Sequence, residues 1–430
     1  MRFSIISPIH QKALPFVERA YQSLCEQDYH DWEWILAPNG GAEVPRHIAE
    51  DERVHIHPLE DDDEVGFNRV GRIKHEACAF ATGDVLVEFD ADDILTQDCL
   101  SQLAIAFQDE EVVFAYSNSA EFRWPTWESN AYSRHWGWEW RPFHWQEGRQ
   151  TYTLKEMIAW PIGPYSLRRI EWAPNHVRAF RRNAYEKIGG HNADLAFGDD
   201  HELCIRFYLA YGERGFVHID RCLYLYRVHG KNSCRVFNAE VQEQSWANYG
   251  NYTSQMAELW AKEQGLLILD FGGAFNCPEQ YQSVDIRPDA DFVVDLEKDW
   301  PFEDNSVGVA RMQDFVEHMH DPIHLMNELY RVLAPGGWAF IRVPSTDGRG
   351  AFQDPTHVSF WNENSFAYYT NANLAKYIRP QFSGRFQEAR STFTYFPNDY
   401  CKEHKIPYVC ADLIALKPPY DRRPPGEVLI

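Results

Sequence analysis

The stretch Ala79-Phe-Ala-Thr-Gly-Asp-Val-Leu-Val-Glu-Phe-Asp-Ala-Asp-Asp93 decides how the first half of the chain is read. Thr82-Gly83 breaks what precedes it, and Val85-Leu-Val-Glu-Phe89 reads as a buried strand. Asp90, Asp92 and Asp93 follow directly. Carboxylates this close repel one another, so something must offset them. A hard divalent cation does so through oxygen ligands and can bridge a diphosphate at the same time. The competing reading is a helix N-cap, with Asp92 or Asp93 capping a helix that starts near Leu95.

Upstream, Phe3-Ser-Ile-Ile-Ser-Pro8 reads as a strand, and Phe16, Ala20 and Leu24 recur at helical spacing. Trp32-Glu-Trp-Ile-Leu-Ala37 is a second strand, ended by Pro38-Asn39-Gly40-Gly41, and a helix near 68–82 leads into the quoted stretch. Strands alternating with helices indicate an α/β unit with a largely parallel sheet. Right-handed crossovers place the loops after these strands on one edge, where open α/β sheets bind ligands. Asn39 and Asp90 belong to that edge.

Downstream, residues 121–176 hold Trp124, Trp127, Trp136, Trp138, Trp140, Trp145, Trp160 and Trp172, with His and Arg between them, and read as irregular structure. Residues 177–230 return to regular elements. The polar stretch 238–264 reads as a linker helix between a first domain, 1–237, and a second, 265–430. The second opens with strand Leu266-Leu-Ile-Leu-Asp270 and a glycine turn, Gly272-Gly273. Further strands are expected at Tyr281–Asp285, Asp291–Val294 and Trp338–Val343. An amphipathic helix carrying Ile323, Met326, Leu329, Tyr330 and Leu333 is expected to stop at Pro335-Gly336-Gly337. The end, from Pro418-Pro419 onward, reads as an extension.

The first half resembles family 2 of the glycosyltransferases, whose fold is GT-A. The resemblance rests on the opening strand with Pro8, the stretch quoted above, Phe180-Arg-Arg-Asn-Ala-Tyr-Glu-Lys-Ile-Gly-Gly-His191, Phe197-Gly-Asp-Asp-His-Glu-Leu203 and Tyr226-Arg-Val-His229, in the family's order over residues 1–235. It implies that Asp90 and Asp92 hold Mn2+ or Mg2+ on the diphosphate of a nucleotide-sugar donor, with His229 a further metal ligand. It implies that Asp200, the second acid of the pair Asp199-Asp200, is the general base for a hydroxyl acceptor. The family has Glu where this chain has Asp199. A helix start at Asp199 is compatible with that role, since acids favour the N-terminal turn. The metal would neutralise the leaving diphosphate and a single base opposite it would give inversion. Pro8, Asn39, Arg72, Lys74 and Ala91 are the remaining donor-site candidates. The family commonly has Asp where Asn39 stands, which leaves the nucleotide open. Trp136, Trp138 and Trp140 are candidates for stacking on an acceptor, against the alternative of a tryptophan-stabilised subdomain.

The second half resembles the class I S-adenosylmethionine methyltransferases, a Rossmann-like α/β fold, over Leu266–Tyr369. The turn after Asp270, then Val284-Asp285, Val293-Val-Asp295, Phe315-Val-Glu-His318 and Glu328-Leu-Tyr-Arg-Val-Leu-Ala-Pro-Gly-Gly337 carry the likeness. It implies cofactor contacts from Asp270, Gly272, Gly273, Asp285 and Asp295. Ala274 and Asn276 replace later glycines of that turn, which narrows it and puts methyl transfer in doubt. His357 is a candidate base for O-methylation, or a structural histidine. If the domain is inactive, dimerisation or acceptor docking is its expected use, so a homo-oligomer is one expected state. A non-enzymatic carbohydrate-binding scaffold is the third reading.

Composition limits the partners. The formal net charge is -23 over 430 residues, and no Lys/Arg run stands out, so nucleic acid and anionic membranes are disfavoured. Nine cysteines without a CxxC pair point to free thiols, and no signal-length or membrane-spanning apolar run is seen, so a soluble cytoplasmic protein is expected.

Overall fold

A computed structural model describes residues 1–60, 69–134, 137–230, 232–273 and 275–418. Trp136, Ala274 and the extension from residue 419 therefore lie outside the described residues. The chain divides into two compact units, Met1–Tyr252 and Thr253–Ile430.

The strands of the first unit are β1 (Phe3–His10), β2 (Trp32–Asn39), β3 (Val54–Ile56), β4 (Val85–Glu88), β5 (Ile94–Leu95), β6 (Phe114–Arg123), β7 (Glu128–Asn130), β8 (Trp140–Glu147), β9 (Gln150–Met157), β10 (Arg178–Arg181) and β11 (Phe216–Val228). They form one sheet with the order β3-β2-β1-β4-β10-β6-β11-β5. The first four are mutually parallel, as the strand–helix alternation predicts. β10 runs antiparallel to β4 and β6, so the sheet as a whole is mixed. β1 and β2 are almost wholly buried, which explains their unbroken apolar runs. A buried carboxylate pins the turn before β4: Glu33 accepts from Ser4 Oγ at 2.6 Å, Thr82 N at 2.7 Å and Arg2 Nη2 at 3.0 Å.

The tryptophan-rich segment is more regular than expected. β8 and β9 make a two-stranded ribbon from Trp140↔Met157 to Glu147↔Gln150, and β9 joins β6. Aromatic clustering masked an alternating strand pattern. Trp127 is buried in a small separate core, stacked on Phe122 at 4.4 Å and on Tyr152 at 5.2 Å.

The polar helix runs from Asn238 to Glu263, and the division between the units falls within it. Its first half packs in the first unit, where Asn248 Nδ2 donates to Gly198 O at 2.8 Å. Its second half packs in the second unit, where Trp260 meets Trp338 edge to face at 5.3 Å.

The second unit contains β12 (Leu267–Phe271), β13 (Gln282–Asp285), β14 (Phe292–Val293), β15 (Val307–Gln313), β16 (Leu333–Pro344), β17 (Phe386–Tyr395) and β18 (Tyr408–Ala415). The order is β14-β13-β12-β15-β16-β18-β17, with β14 through β16 parallel and β18 antiparallel to both its neighbours. Strand order reverses beside β12, where such sheets open a ligand crevice. The helix Pro322–Val332 is capped by Asp321, whose Oδ1 accepts from Ile323 N and His324 N, with Pro322 at its first position. It ends before Pro335-Gly336-Gly337, which lie inside β16 instead of terminating the helix. The eight cysteines whose side chains are described are free. No helix of the described residues is long and apolar enough to cross a membrane.

Candidate active site

Asp90, Asp92 and Asp93 leave β4 at the carboxyl edge of the parallel strands, and one carboxylate oxygen of each lies within 4.8 Å of the others. The helix-cap reading fails, because the next helix is Cys99–Ala106. The three acids divide their roles. Asp93 is fully buried, its Oδ2 accepting from Tyr224 Oη at 2.8 Å and its Oδ1 from Arg227 N at 2.6 Å. Its carboxyl is therefore spent on holding β11 in place. Tyr224 Oη also accepts from Asp90 N at 3.1 Å, which sets the course of the loop. Asp90 and Asp92 keep partly exposed carboxylates, while Ala91 between them is buried. Burial and the neighbouring Asp92 push the Asp90 carboxyl up to about 6, against the pull of Lys74. A cation at this spot would relieve that repulsion; Asp90 and Asp92 offer the oxygen ligands that Mn2+ or Mg2+ take, and an imidazole stands beside Asp92.

The imidazole comes from the end of β11. His229 Nε2 lies 2.7 Å from Asp92 Oδ2, and His229 N donates to Asn232 Oδ1 at 2.6 Å. Phe16 stacks on the His229 ring at 5.2 Å. Arg227 is buried beneath, donating to Asp92 O at 2.6 Å, with its guanidinium 4.7 Å from the Phe16 ring centre.

Asp199 and Asp200 open the helix Asp199–Tyr211. Asp200 Oδ2 is 2.8 Å from Arg178 Nη1. Burial alone would raise the Asp200 carboxyl, but Arg178 and Lys74 outweigh it and hold it far below the usual range. Arg178 Nη2 donates to His176 Nε2 at 2.9 Å, and His176 Nε2 is 4.0 Å from Asp90 Oδ2. Burial, reinforced by Arg178, lowers His176 to about 3, so its ring is neutral. Arg178 and His176 thus link the Asp200 side of the site to the Asp90 side.

Behind this link lies a buried charge network that the sequence reading missed. Glu88, the last residue of β4, meets Arg178 Nε at 2.5 Å, His191 Nε2 at 2.9 Å and Lys74 Nζ at 3.1 Å. Lys74 also reaches Asp199 Oδ2 at 3.2 Å. The signal was present: a glutamate inside an apolar strand demands buried partners.

The other expected donor residues are less convergent. Lys74 is committed to Glu88 and Asp199, not to a phosphate position. Arg72 donates to Glu60 O at 2.5 Å and lies 3.7 Å from Glu76, away from the carboxylate cluster's own partners. Asn39 is buried at the end of β2, with Nδ2 3.3 Å from Ala37 O, and Pro8 pairs with Ala37 in β1. Of the acceptor candidates, Trp138 and Trp140 fall within the described residues. Trp138 is buried against Tyr132 and Trp160, and the Trp140 ring is approached by Arg134 at 4.8 Å and Lys155 at 5.0 Å. Trp138 is thus enclosed by packing, while Trp140 is partly exposed beside two cations.

A polar cleft of about 710 Å³ opens beside the ribbon, lined by Arg19, Asp98, Arg141, Trp145, Glu147 and Arg221 among others. Arg19 lies one helical turn from Phe16, the residue stacked on His229. The arginines pair with carboxylates: Arg19 with Glu147 at 3.1 Å, Arg141 with Glu156 at 2.7 Å and Arg221 with Asp98 at 2.8 Å.

In the second unit Asp270 is buried and held by Arg311 Nη1 at 2.7 Å. Gly272 has φ +77°, and a Cβ there would meet Phe315 at 2.8 Å. A Cβ on Gly273 would lie 2.3 Å from Asp270 Oδ2. Both glycines are thus required by packing within the chain. Asp285 ends β13, where its Oδ1 accepts from Arg287 N at 3.0 Å, and Asp295 pairs with Lys298 at 3.0 Å. The Arg287 guanidinium covers the exposed Phe275 ring at 3.9 Å. His357 is partly buried, with Nδ1 3.1 Å from Ala351 O.

The first unit is thus an open α/β sheet with acids at its carboxyl edge, and the second a Rossmann-like sheet of seven strands. Residues 4–173 match Glycosyl transferase family 2 and residues 253–341 match a Methyltransferase domain. The chain therefore carries a family 2 glycosyltransferase domain of GT-A fold, followed by a methyltransferase domain. Asp199, Asp200 and His229 lie beyond the first matched stretch, and His357 beyond the second. A curated relative, "O-antigen biosynthesis protein RfbC" of Myxococcus xanthus, is 27% identical over 110 residues, which is 24% of this chain. The chain spans 8% of that relative's length. Among solved structures, S. aureus TarS is 13% identical with a TM-score of 0.42, covering 61% of this chain and 42% of TarS. TarS 1-349 in complex with UDP-GlcNAc is 12% identical with a TM-score of 0.43, covering 61% of this chain and 71% of that one.

Proposed function

We propose that the first unit transfers a sugar from a nucleoside-diphosphate donor to a hydroxyl of a glycan, with inversion. The observation that carries this reading is the approach of His229 Nε2 to Asp92 Oδ2, beside Asp90, at the end of the buried strand. Asp90, Asp92 and His229 would hold Mn2+ or Mg2+, which when bound supplies charge neutralisation for the departing diphosphate. Arg178 keeps Asp200 ionised, so Asp200 accepts a hydrogen bond from the acceptor hydroxyl and takes its proton as the leaving group departs. Arg178 and His176 connect this base to the Asp90 side of the site.

The acceptor lies along the polar cleft. Its volume falls within the range of about 300–1,000 Å³ common for ligand sites. Ion pairs offer donors and acceptors together, and the excess of carboxylates disfavours a polyanion. An uncharged, hydroxyl-rich glycan fits best, in keeping with the O-antigen biosynthesis in RfbC's name. The protein acts in the cytoplasm on this reading. Incubating the full chain with nucleotide sugars and Mn2+, after a thermal-shift screen for the donor, tests it. Donor cleavage that is metal-dependent and lost in Asp92→Asn is expected; full turnover in that variant overturns the assignment.

The second unit methylates the same glycan with S-adenosylmethionine, which when bound supplies the methyl group; Asp285 and Asp295 would hold its nucleoside. A second reading, an inactive domain serving docking or self-association, is favoured by the Arg287–Phe275 stack beside the glycine turn. Calorimetric titration with S-adenosylmethionine separates the two, with no heat at millimolar ligand selecting the second.

A further inference from the structure

The second unit holds a carboxylate that its own fold does not satisfy. Glu317 has 2% of its side chain exposed, and neither Oε1 nor Oε2 has a hydrogen-bond partner. Among the described residues no Lys or Arg lies within ion-pairing distance of it. What faces it is a pair of imidazoles. One ligand atom from each of Glu317, His318 and His357 lies within 4.8 Å of the others, and Glu317 Oε1 is 3.9 Å from His357 Nε2.

The tautomers follow from the ring partners. His357 Nδ1 is 3.1 Å from Ala351 O, and His318 Nδ1 is 3.1 Å from Thr356 O. A carbonyl only accepts, so His357 Nδ1 carries a proton and its Nε2 is a lone pair, while His318 Nδ1 sits between Thr356 O and Thr356 Oγ1, the latter at 3.2 Å. The His357 Nε2 lone pair and one ring nitrogen of His318 then converge on a buried carboxyl group that has no hydrogen-bond partner. Backbone carbonyls that orient imidazoles through the far nitrogen are the usual outer support of metal-binding histidines. Two ligands at about 2.0–2.2 Å from one ion lie about 3–4 Å apart, which accommodates the Glu317–His357 separation. The cluster Glu88–His191–Asp199 is equally tight, but Lys74 and Arg178 already supply its positive charge.

We propose that Glu317, His318 and His357 form a binding site for a divalent transition-metal ion, of the Zn2+ or Mn2+ class, in the methyltransferase unit. Two imidazole donors select against Ca2+ and Mg2+. The site sits just past β15, on the sheet edge that also carries Gly272 and Asp285, and Phe315 packs against Gly272. Three protein ligands leave coordination positions open, and an ion there would bind hydroxyl oxygens of an acceptor and make them more acidic. His357 is then a metal ligand and not the methyl-transfer base. Only that acceptor role rests on the proposed methylation; the metal site does not.

The test uses the full chain carrying Asp90→Asn and Asp92→Asn, so that the first unit's cluster is removed. After chelator treatment it is titrated with Mn2+ followed by electron paramagnetic resonance, and with Co2+ followed by visible absorption. One bound ion per chain is expected. Adding Glu317→Gln, or His318→Ala should the buried substitution fail to fold, should weaken binding at least tenfold. A chain that binds no ion, or that binds it equally well in His318→Ala, overturns the proposal. His318→Ala in the otherwise natural chain should leave sugar transfer unchanged, so the two readings fail separately.

Discussion

Arg178 Nη1 lies 2.8 Å from Asp200 Oδ2, while Nε of the same guanidinium meets Glu88. One arginine therefore ties the proposed base to the strand that ends in the carboxylate cluster. Arg178→Met would leave two largely buried carboxylates facing each other. Breaking such a pair costs about 3–5 kcal/mol, so urea denaturation should show a loss of that order. Asp200→Asn keeps the shape and should lower kcat by about 100-fold or more with little change in donor KM.

Asp92 and Asp93 are adjacent but should respond oppositely. Asp92→Asn is expected to abolish Mn2+-dependent turnover and to leave the melting temperature nearly unchanged. Asp93→Asn loses an acceptor for Arg227 N or Tyr224 Oη and should destabilise by about 1–3 kcal/mol. Paired metal titrations and thermal melts check both.

Glu33 should make stability fall in acid. Burial pushes its carboxyl up, but bonds from Ser4 and Thr82 and the charge of Arg2 outweigh it, so its folded pKa is below the ordinary value. The unfolded state then binds the proton more readily. The stabilisation is fully present above about pH 4.3 and is lost as pH falls below it. The advantage of the natural chain over Glu33→Gln, about 1–3 kcal/mol near neutrality, should shrink below about pH 4 in urea unfolding.

Trp138→Ala should act on folding and not on acceptor binding. A buried aromatic removed to alanine costs about 3–5 kcal/mol. Trp145→Ala, in the cleft, should instead raise acceptor KM while donor hydrolysis stays unchanged. Steady-state kinetics beside thermal melts tell the two apart.

Gly273→Ala forces a Cβ against Asp270 and should disrupt the Asp270–Arg311 pair. Loss of stability in the second unit and loss of any S-adenosylmethionine heat are expected, read by denaturation and calorimetry.

Much of this was legible in the chain. The run Val85-Leu-Val-Glu followed by three aspartates announced a buried strand with a charged edge, because period and composition are local properties. The glycine turn after Leu267–Phe271 was legible for the same reason. Other features were not. The ribbon β8–β9 was read as irregular because its tryptophans mask the alternation, and Trp138 stayed open between acceptor stacking and a packing role because burial depends on neighbours far along the chain. Lys74 looked like a phosphate ligand until Glu88 and Asp199 were seen to claim it.

Sequence by itself determined the two α/β units, their order and the acids at the strand ends, since hydrophobic period and turn chemistry act over a few residues. Only the tertiary structure decided which acid is which. Asp93 is satisfied by Tyr224 and Arg227, more than a hundred residues away, and so serves the fold. Asp92 meets His229 and stays open to solvent, so it remains available for chemistry. The physical reason is that a buried carboxylate must find its partners in space, and distance along the chain does not predict them.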